Sequence, residues 1–269
     1  MTKPCLVVLL CVDPCSSCWL SPRLQVVHDM VQPSQHGSVA DVGCNHGLLA
    51  IALANSGRAA CVLATDSSPN AIKITEGNIH SFCTAPERIS TRLGDGLLAL
   101  GSEGCEQVAM AGLGVPRLQK ILSECGTLAR SARALILQPI EARVTQMIDL
   151  RSSLHTLGFA IADERFAVCE GRAYLTLRAE ARLEGEVASA SLPCESDLLL
   201  GAERFLEAHV LQAGYLECKR TRTCEPTTMP LQTAPLRISL NVLPALRRTH
   251  ASRLGSCNAQ TWRHSMACC

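Results

Sequence analysis

An acidic residue and two glycines stand close together in residues 38–47, within and after a short apolar run. Asp41 comes first, Gly43 and Gly47 follow, and the apolar segment 48–54 comes next. Glycine lets a backbone turn sharply and lets a ligand lie directly against it. A helix that begins after such a turn directs its free N–H groups and positive dipole end towards the same point. The pattern predicts a strand, a turn and a helix around a small molecule with carboxylate or phosphate groups, although a simple βα turn would use the same residues.

Two further acids follow later apolar runs. Asp66 comes after residues 60–65, and Asp95 stands between two glycines after residues 88–93. An acid at the tip of the second strand of a βαβ unit lies where the ribose hydroxyls of a nucleoside bind. The alternative is that Asp66 only caps the helix that starts at Pro69. The Asp95 carboxylate can accept a hydrogen bond from an exocyclic amine such as N6 of adenine, or it can belong to a plain turn.

Apolar runs and helix-start signals alternate along residues 20–182. A first helix is predicted over residues 22–31, because Ser21 can accept from its free N–H groups and Pro22 fits its first position. The predicted strands are residues 38–42, 60–65, 88–93, 107–111, 133–137, 159–168 and 172–178. The intervening helices are residues 48–54, 69–82, a helix from about 116, and 143–157. Five βα units closed by an antiparallel hairpin predict an α/β fold, the Rossmann-like class I methyltransferase sheet of seven strands.

The two ends of the chain differ from this pattern. Residues 1–19 are expected to be a leader or an unstructured extension, ahead of a methyltransferase domain over residues 20–182. Residues 183–224 are predicted to be a linker and a helical appendage, with a helix over about 196–217. Residues 225–269 form a basic tail that we expect to be disordered. Such a tail fits a nucleic-acid partner, or it is simply solvated.

The composition argues against several classes of protein. Sixteen cysteines are scattered, several of them in apolar runs, which favours a reduced compartment over a disulfide framework. Cys15 and Cys18 form a lone CxxC without a second pair at zinc-ribbon spacing, so no metal is expected. The apolar run 5–12 is too short to cross a membrane. The expected location is the cytoplasm, or an organelle if residues 1–19 are a targeting segment, and no oligomeric state is predicted.

Five ordered motifs carry a resemblance to a known family. They are residues 20–24 (LSPRL), 40–47 (ADVGCNHG), 92–97 (RLGDGL), 111–114 (AGLG) and 135–139 (LILQP). Together they resemble the bacterial-type tRNA (adenine-22) methyltransferases over about residues 20–180. The resemblance implies S-adenosylmethionine as the cofactor, tRNA as the partner and 1-methyladenosine in the tRNA core as the product. It also implies that the helical appendage contacts tRNA.

The resemblance implies a cofactor site at the ends of the strands. Asp41, Gly43 and Gly47 would shape its methionine end, Asp66 would bind the ribose, and Asp95 the adenine. Ala111, Gly112 and Gly114 would line the mouth where the methyl group meets the base. The cofactor-binding set is completed by the neighbours in the same turns and comprises Asp41, Gly43, Cys44, Gly47, Asp66, Ser67, Asp95, Gly96, Ala111 and Gly112.

Catalysis is assigned to a second group of residues. Asn45 and His46 would orient the base, with Gln138 behind them. Asparagine is not a base, so His46 would take any proton, unless it is only a capping or packed histidine. Cys44 is expected to line the cofactor, because no paired base accompanies it.

The chain departs from the family at three positions near the mouth. It has Asn45 where the family commonly has Asp, Val115 where it has Gly, and Ile140 where it has Asn. These changes leave two alternatives open. One is a non-catalytic relative that binds S-adenosylmethionine or RNA, and the other is a methyltransferase that acts on a small molecule or a protein.

Overall fold

A single mixed sheet with helices on both faces forms the part of the chain that the structure describes. The structure, a computed structural model, describes residues 8–10 and 20–182 apart from 103, 141, 143 and 171. Its strands are β1 (Val8–Leu10), β2 (Ser34–Val42), β3 (Ala59–Asp66), β4 (Ile89–Leu93), β5 (Gln107–Gly114), β6 (Ala134–Ile140), β7 (Phe159–Cys169) and β8 (Arg172–Ala181). Its helices are α1 (Pro22–Met30), α2 (Leu48–Asn55), α3 (Pro69–Phe82), α4 (Val115–Glu124), α5 (Gly126–Ser131) and α6 (Val144–Thr156). The predicted helix at 196–217 and the basic tail lie outside the described residues.

The strand order across the sheet is β1-β7-β8-β6-β5-β2-β3-β4. Strands β2 to β6 pair in parallel, whereas β8 runs antiparallel to both β6 and β7. The predicted seven-stranded fold with its terminal hairpin is therefore confirmed by β2 to β8, and β1 adds a short parallel strand beside β7. Strand β2 pairs with β3 on one side and β5 on the other, so the chain reverses its direction of winding between β2 and β5. Ligands bind at the carboxyl ends of the strands at such a point.

Helix starts follow the sequence closely, with one exception. Helix α3 has proline at its first position, and the Ser68 hydroxyl accepts from the N–H of Ala71 at 3.4 Å. Helix α1 also begins with a proline, but the side chain of Ser21 makes no capping hydrogen bond and its Oγ has no partner among the described residues. Ser21 is therefore the N-cap residue, as predicted, and its carbonyl accepts the first bond of the helix from the N–H of Gln25 at 2.9 Å, but the predicted hydrogen bond to its side chain is wrong.

The core has two layers because residues of a strand alternate between the two faces of the sheet. In β6, Leu135 and Leu137 pack in the cluster that includes α4 and α6, whereas Ile136 packs in the cluster that includes α1 and α2. Strands buried on both faces are expected in a parallel sheet covered by helices. None of the described helices is long and apolar enough to cross a membrane.

Candidate active site

A cavity of about 680 Å³ lies at the carboxyl ends of β2, β3, β4 and β5. This volume is typical of small-molecule sites. The sequence-predicted residues that line it are Asp41, Gly43, Cys44, Asn45, His46, Asp66, Ser67, Asp95, Gly96, Ala111 and Gly112. Gly47 and Gln138 are not among the lining residues. The structure thus brings eleven of the thirteen predicted site residues to one cavity.

The turn between β2 and α2 forms the floor of this cavity. The backbone N–H groups of Gly43 and Cys44 donate to the carbonyl of Thr65 at 2.8 and 3.0 Å, which ties the turn to the end of β3. Gly47 has φ +70°, and a Cβ on it would lie 2.5 Å from Cγ2 of Thr75. Only glycine fits this position, both for its backbone conformation and for space. Gly47 therefore shapes the site without lining it, and α2 begins at the next residue.

Asp41 is the buried acid of the cavity, with 3% of its surface exposed. It accepts a hydrogen bond from the backbone N–H of Ala50 in the first turn of α2, and its Oδ2 atom has no partner among the described residues. Burial raises the pKa of this carboxyl to about 7, and the nearby charge of Asp66 adds a smaller increase. A cationic group beside Oδ2 would compensate for this burial.

Asp66 connects two turns of the site. Its Oδ2 accepts from the N–H of Asn45 at 3.0 Å, and its Oδ1 accepts from the N–H of Ser68 at 2.9 Å. Ser68 is itself the N-cap of α3, so Asp66 lies two residues before the cap rather than serving as the cap. A carboxylate has about four lone-pair positions, so each oxygen can still accept a bond from a ligand hydroxyl.

Asp95 lines the cavity after the end of β4, two strands away from β2, and is exposed. Nη2 of Arg117, from the first turns of α4, is 2.5 Å from Oδ1 of Asp95. Its turn is held against the previous one, because the N–H of Gly94 donates to the carbonyl of Asp66 at 2.9 Å. The ends of β2, β3 and β4 thus present three acids in a row around the cavity, namely Asp41, Asp66 and Asp95.

Asn45 and His46 present their side chains to solvent at the cavity. Asn45 has φ +52°, which asparagine tolerates better than most residues, and its carbonyl accepts from the Thr75 hydroxyl at 3.0 Å. The carbonyl of His46 accepts from Nδ2 of Asn78 at 2.8 Å. Backbone bonds thus fix both residues, while neither side chain is hydrogen-bonded to a described residue. His46 is exposed, which does not fit a packed histidine.

Cys44 belongs to the same turn and is buried. Its Sγ atom is 3.5 Å from Oγ1 of Thr75, and burial raises the pKa of the thiol to about 12. A thiol with such a pKa stays protonated near neutral pH and is a poor nucleophile. Cys44 therefore lines the cavity as a small apolar residue.

Gln138 lies behind the cavity wall and is fully buried. Its Nε2 donates to the carbonyl of Arg23 at 2.7 Å and to Oγ1 of Thr176 at 2.8 Å, and its Oε1 accepts from Nη1 of Arg23 at 3.2 Å. Arg23 lines the cavity, as does Arg117, and neither is among the predicted site residues. The only sequence signal for Arg23 is its place in the motif LSPRL, one residue into α1.

The three departures from the family lie in different environments. Asn45 lines the cavity, whereas Val115 is buried in the core as the first residue of α4. Ile140 is partly exposed at the end of β6 and does not line the cavity, nor does Gly114. Within the part of the chain that the structure describes, no group of three histidines, cysteines or acids could hold a metal ion.

The sequence pattern of a methyltransferase domain family matches residues 20–177, which include every residue of this cavity. The chain belongs to this methyltransferase family. No curated protein sequence matches the chain.

Several solved structures share its fold. A Streptococcus pneumoniae protein described as a tRNA (m1A22) methyltransferase is 26% identical with a TM-score of 0.57, over 77% of this chain and 91% of that chain. A structure of it in complex with S-adenosyl-L-methionine is 28% identical over 63% of this chain and 78% of that chain, with a TM-score of 0.54. The B. subtilis m1A22 tRNA methyltransferase is similar in fold, with 23% identity over 76% of this chain and 84% of that chain and a TM-score of 0.59. The similarity to tRNA (adenine-22) methyltransferases that the motifs indicated is confirmed.

Proposed function

We propose that this methyltransferase uses S-adenosylmethionine to form 1-methyladenosine in tRNA. The observation that carries the proposal is the row of three acids at the ends of β2, β3 and β4, around one cavity at the point where the sheet changes its winding. The order of these acids on adjacent strands is the order of the three polar parts of the cofactor, which are an amino acid, a ribose and an adenine. The match of residues 20–177 to a methyltransferase domain supports it.

The residues of the cavity fit this cofactor. Oδ2 of Asp41 is buried, has no partner among the described residues and would accept from the ammonium group of the methionine portion. Asp66 is fixed by two backbone N–H groups and would accept from the ribose hydroxyls. Oδ2 of Asp95, the oxygen not bound by Arg117, would accept from N6 of the adenine. Gly43, Cys44, Gly47, Ser67 and Gly96 would complete the cofactor site as turn and lining residues.

Methyl transfer to N1 of adenine requires alignment more than covalent catalysis. Bound S-adenosylmethionine would supply an electrophilic methyl group on its sulfonium sulfur. Ala111 and Gly112 line the cavity and leave room for the target base to approach. Holding a base in line and excluding water can lower the barrier by several kcal/mol or more.

Asn45 and His46 are the candidate catalytic residues, because both side chains reach the cavity and neither is hydrogen-bonded to a described residue. The amide oxygen of Asn45 would accept from N6 of the target adenine. N1-methylation makes the ring cationic until a proton leaves N6, and His46 would take that proton. Gln138 has no surface in the cavity and would act through the residues that it holds.

The choice of tRNA rests on the relatives, two of which are described as tRNA (m1A22) methyltransferases. Residues 219–269, which include the basic tail, hold eight lysines and arginines against one acid and would add affinity for RNA. An enzyme for tRNA would work in the cytoplasm, or in an organelle that has its own tRNA.

The direct test incubates the purified full chain with labelled S-adenosylmethionine and unmodified tRNA, followed by digestion to nucleosides and mass analysis. We expect 1-methyladenosine from the wild type and at least a hundredfold less from Asp66→Ala. Asp149→Asn, on helix α6 outside the cavity, is the matched control and should keep wild-type activity.

Two results would contradict the proposal in different ways. Cofactor binding without any methylated nucleoside would favour the non-catalytic relative, and Asn45→Asp would then be the first reversion to examine. Methyl transfer to a small molecule or a protein but not to tRNA would show that the protein is a methyltransferase with a different substrate.

A further inference from the structure

Arg23 is a cation of the cavity that belongs to the motif at residues 20–24 but has no role among the proposed cofactor contacts. It lies one residue into helix α1, lines the cavity and is partly buried. A Cβ on Gly112 would lie 3.5 Å from its Nη1 atom, so its guanidinium is next to the backbone where the target base would enter. This side chain faces the site of reaction rather than the outer surface of the domain.

The guanidinium is held in place from two sides. Its Nη1 donates to Oε1 of Gln138 at 3.2 Å, and its Cζ lies 5.7 Å from the centre of the Tyr174 ring. Gln138 is fully buried, and its own amide is fixed by the Arg23 carbonyl and the Thr176 hydroxyl. An arginine restrained by a hydrogen bond and a cation–π contact loses less freedom when it binds a ligand than a solvated arginine does.

No carboxylate of the described residues pairs with Arg23. Arg117, the other arginine of the cavity, has Asp95 at 2.5 Å, and the buried Arg178 has Glu180 at 2.9 Å. The partner of Arg23 inside the protein is instead a neutral amide, which takes one N–H and leaves the positive charge uncompensated. A fixed and uncompensated guanidinium that lines a cavity is suited to an oxyanion.

We propose that Arg23 is the oxyanion receptor of the active site and that Gln138 is the residue that positions it. The inference rests on the proposed function, which provides two oxyanions at this place. One is the α-carboxylate of the cofactor's methionine portion, whose ammonium group would face Asp41. The other is the phosphate next to the target nucleotide. A guanidinium binds either through two parallel N–H bonds, which lysine cannot reproduce.

The experiment compares the wild type with Arg23→Gln, Arg23→Lys and the matched control Arg165→Gln, a partly buried arginine on β7 outside the cavity. Calorimetry measures affinity for S-adenosylhomocysteine and for methylthioadenosine, which lacks the amino acid. Filter binding measures affinity for a tRNA transcript at several salt concentrations. Thermal unfolding of each variant shows that it is folded.

The two sources of the oxyanion give different results. If Arg23 binds the carboxylate, Arg23→Gln should lower the affinity for S-adenosylhomocysteine about 10- to 100-fold. Its affinities for methylthioadenosine and tRNA should stay within twofold of the wild type. If it binds phosphate, the same variant should weaken tRNA by a similar factor, with a smaller salt dependence, and leave both small ligands unchanged. Arg23→Lys should recover only part of the loss, and Arg165→Gln should match the wild type.

The positioning role of Gln138 is tested with Gln138→Met alone and combined with Arg23→Gln. We expect Gln138→Met to weaken the same ligand as Arg23→Gln by a smaller factor, and the double variant to be no weaker than Arg23→Gln. If Gln138 had a purely structural role, the double variant would bind more weakly than Arg23→Gln alone, and Gln138→Met would also lower the affinity for methylthioadenosine.

Wild-type affinity of Arg23→Gln for all three ligands would overturn the assignment while leaving the proposed function intact. A wild type that binds neither S-adenosylhomocysteine nor tRNA would overturn both. A wild type that binds S-adenosylhomocysteine but methylates no tRNA would contradict the proposed function alone, because the calorimetric comparison still decides whether Arg23 binds the carboxylate.

Discussion

The polar side chains at the two ends of the parallel sheet differ in whether they have hydrogen-bond partners within the protein. At the amino end, Nη1 of Arg178 donates to the carbonyl of Met30 at 2.8 Å and to Oε1 of Gln107 at 2.9 Å, while its Nε donates to Glu180 at 2.9 Å. Gln107 in turn binds the backbone of Gln32 through both polar atoms of its amide. Apart from Nη2 of Arg178, these buried groups are satisfied within the protein.

At the carboxyl end, several polar atoms have no such partner. In the part of the chain that the structure describes, the buried Oδ2 of Asp41 has no hydrogen-bond partner, and neither do the side chains of Asn45 and His46. Unsatisfied polar groups cost stability, so a protein retains them where a ligand completes them. The amino end therefore stabilises the domain, and the carboxyl end binds the ligand. Substitutions at the amino end should change stability, and substitutions at the carboxyl end should change ligand binding.

The largest effect is expected from Arg178→Met. This change removes three hydrogen bonds of a buried guanidinium, to the Met30 carbonyl, to Gln107 and to the partly exposed Glu180, and at about 1–1.5 kcal/mol for each bond the loss is about 3–5 kcal/mol. Urea unfolding should show this loss, while affinity for S-adenosylhomocysteine in the folded fraction stays within twofold. Arg133→Met is the control, because its pair with Glu106 is exposed and worth at most about 1 kcal/mol. Loss of ligand affinity without loss of stability would contradict the comparison.

Asp41→Asn, at the carboxyl end, should gain stability relative to the wild type as the pH rises. The pKa of Asp41 rises from 3.8 to about 7 on folding, so the native state keeps a proton that the unfolded chain has lost. Stability of the ligand-free wild type should fall as pH rises from about 4 to about 7, by at most about 4 kcal/mol. Asp41→Asn does not titrate, so its stability relative to the wild type should increase over that interval.

Thermal unfolding at several pH values between 4 and 8 measures this difference. Bound S-adenosylhomocysteine should reduce the loss of wild-type stability with rising pH, because an ammonium group beside Oδ2 lowers the pKa of Asp41. If the difference in stability between the wild type and Asp41→Asn were the same at every pH, folding would not raise the pKa of Asp41, and this prediction would be wrong.

Local sequence signals predicted the fold and the cofactor side of the cavity. The glycines, the prolines at helix starts and the apolar runs each act within a few residues, and α3 begins and ends where it was predicted. The acids Asp41, Asp66 and Asp95 reach the cavity because each follows a parallel strand, and parallel strands end on the same edge.

Sequence signals were weaker where residues far apart in the chain decide the structure. Strand β5 continues to Gly114, beyond its predicted end at residue 111, so Val115 begins α4 directly and points into the core. The contact between Arg23 and Gln138 joins residues 115 positions apart, and no local pattern encodes such a contact. The short helix α5 begins with glycine and has only six residues, too few to show a helical period.

The smallest effect is expected from Arg117→Gln at the adenine side of the cavity. The guanidinium holds Oδ1 of Asp95 at 2.5 Å and leaves Oδ2 for a ligand, but both side chains are about half exposed. Such a pair is worth at most about 1 kcal/mol, so the affinity for S-adenosylhomocysteine should fall by no more than about fivefold. The fall should disappear at high salt, because screening weakens exposed pairs. Lys120→Gln, one turn further along α4 and outside the cavity, is the control and should have no effect on this affinity. Tighter binding of S-adenosylhomocysteine by Arg117→Gln would contradict the prediction, because it would mean that Arg117 competes with the cofactor for Asp95.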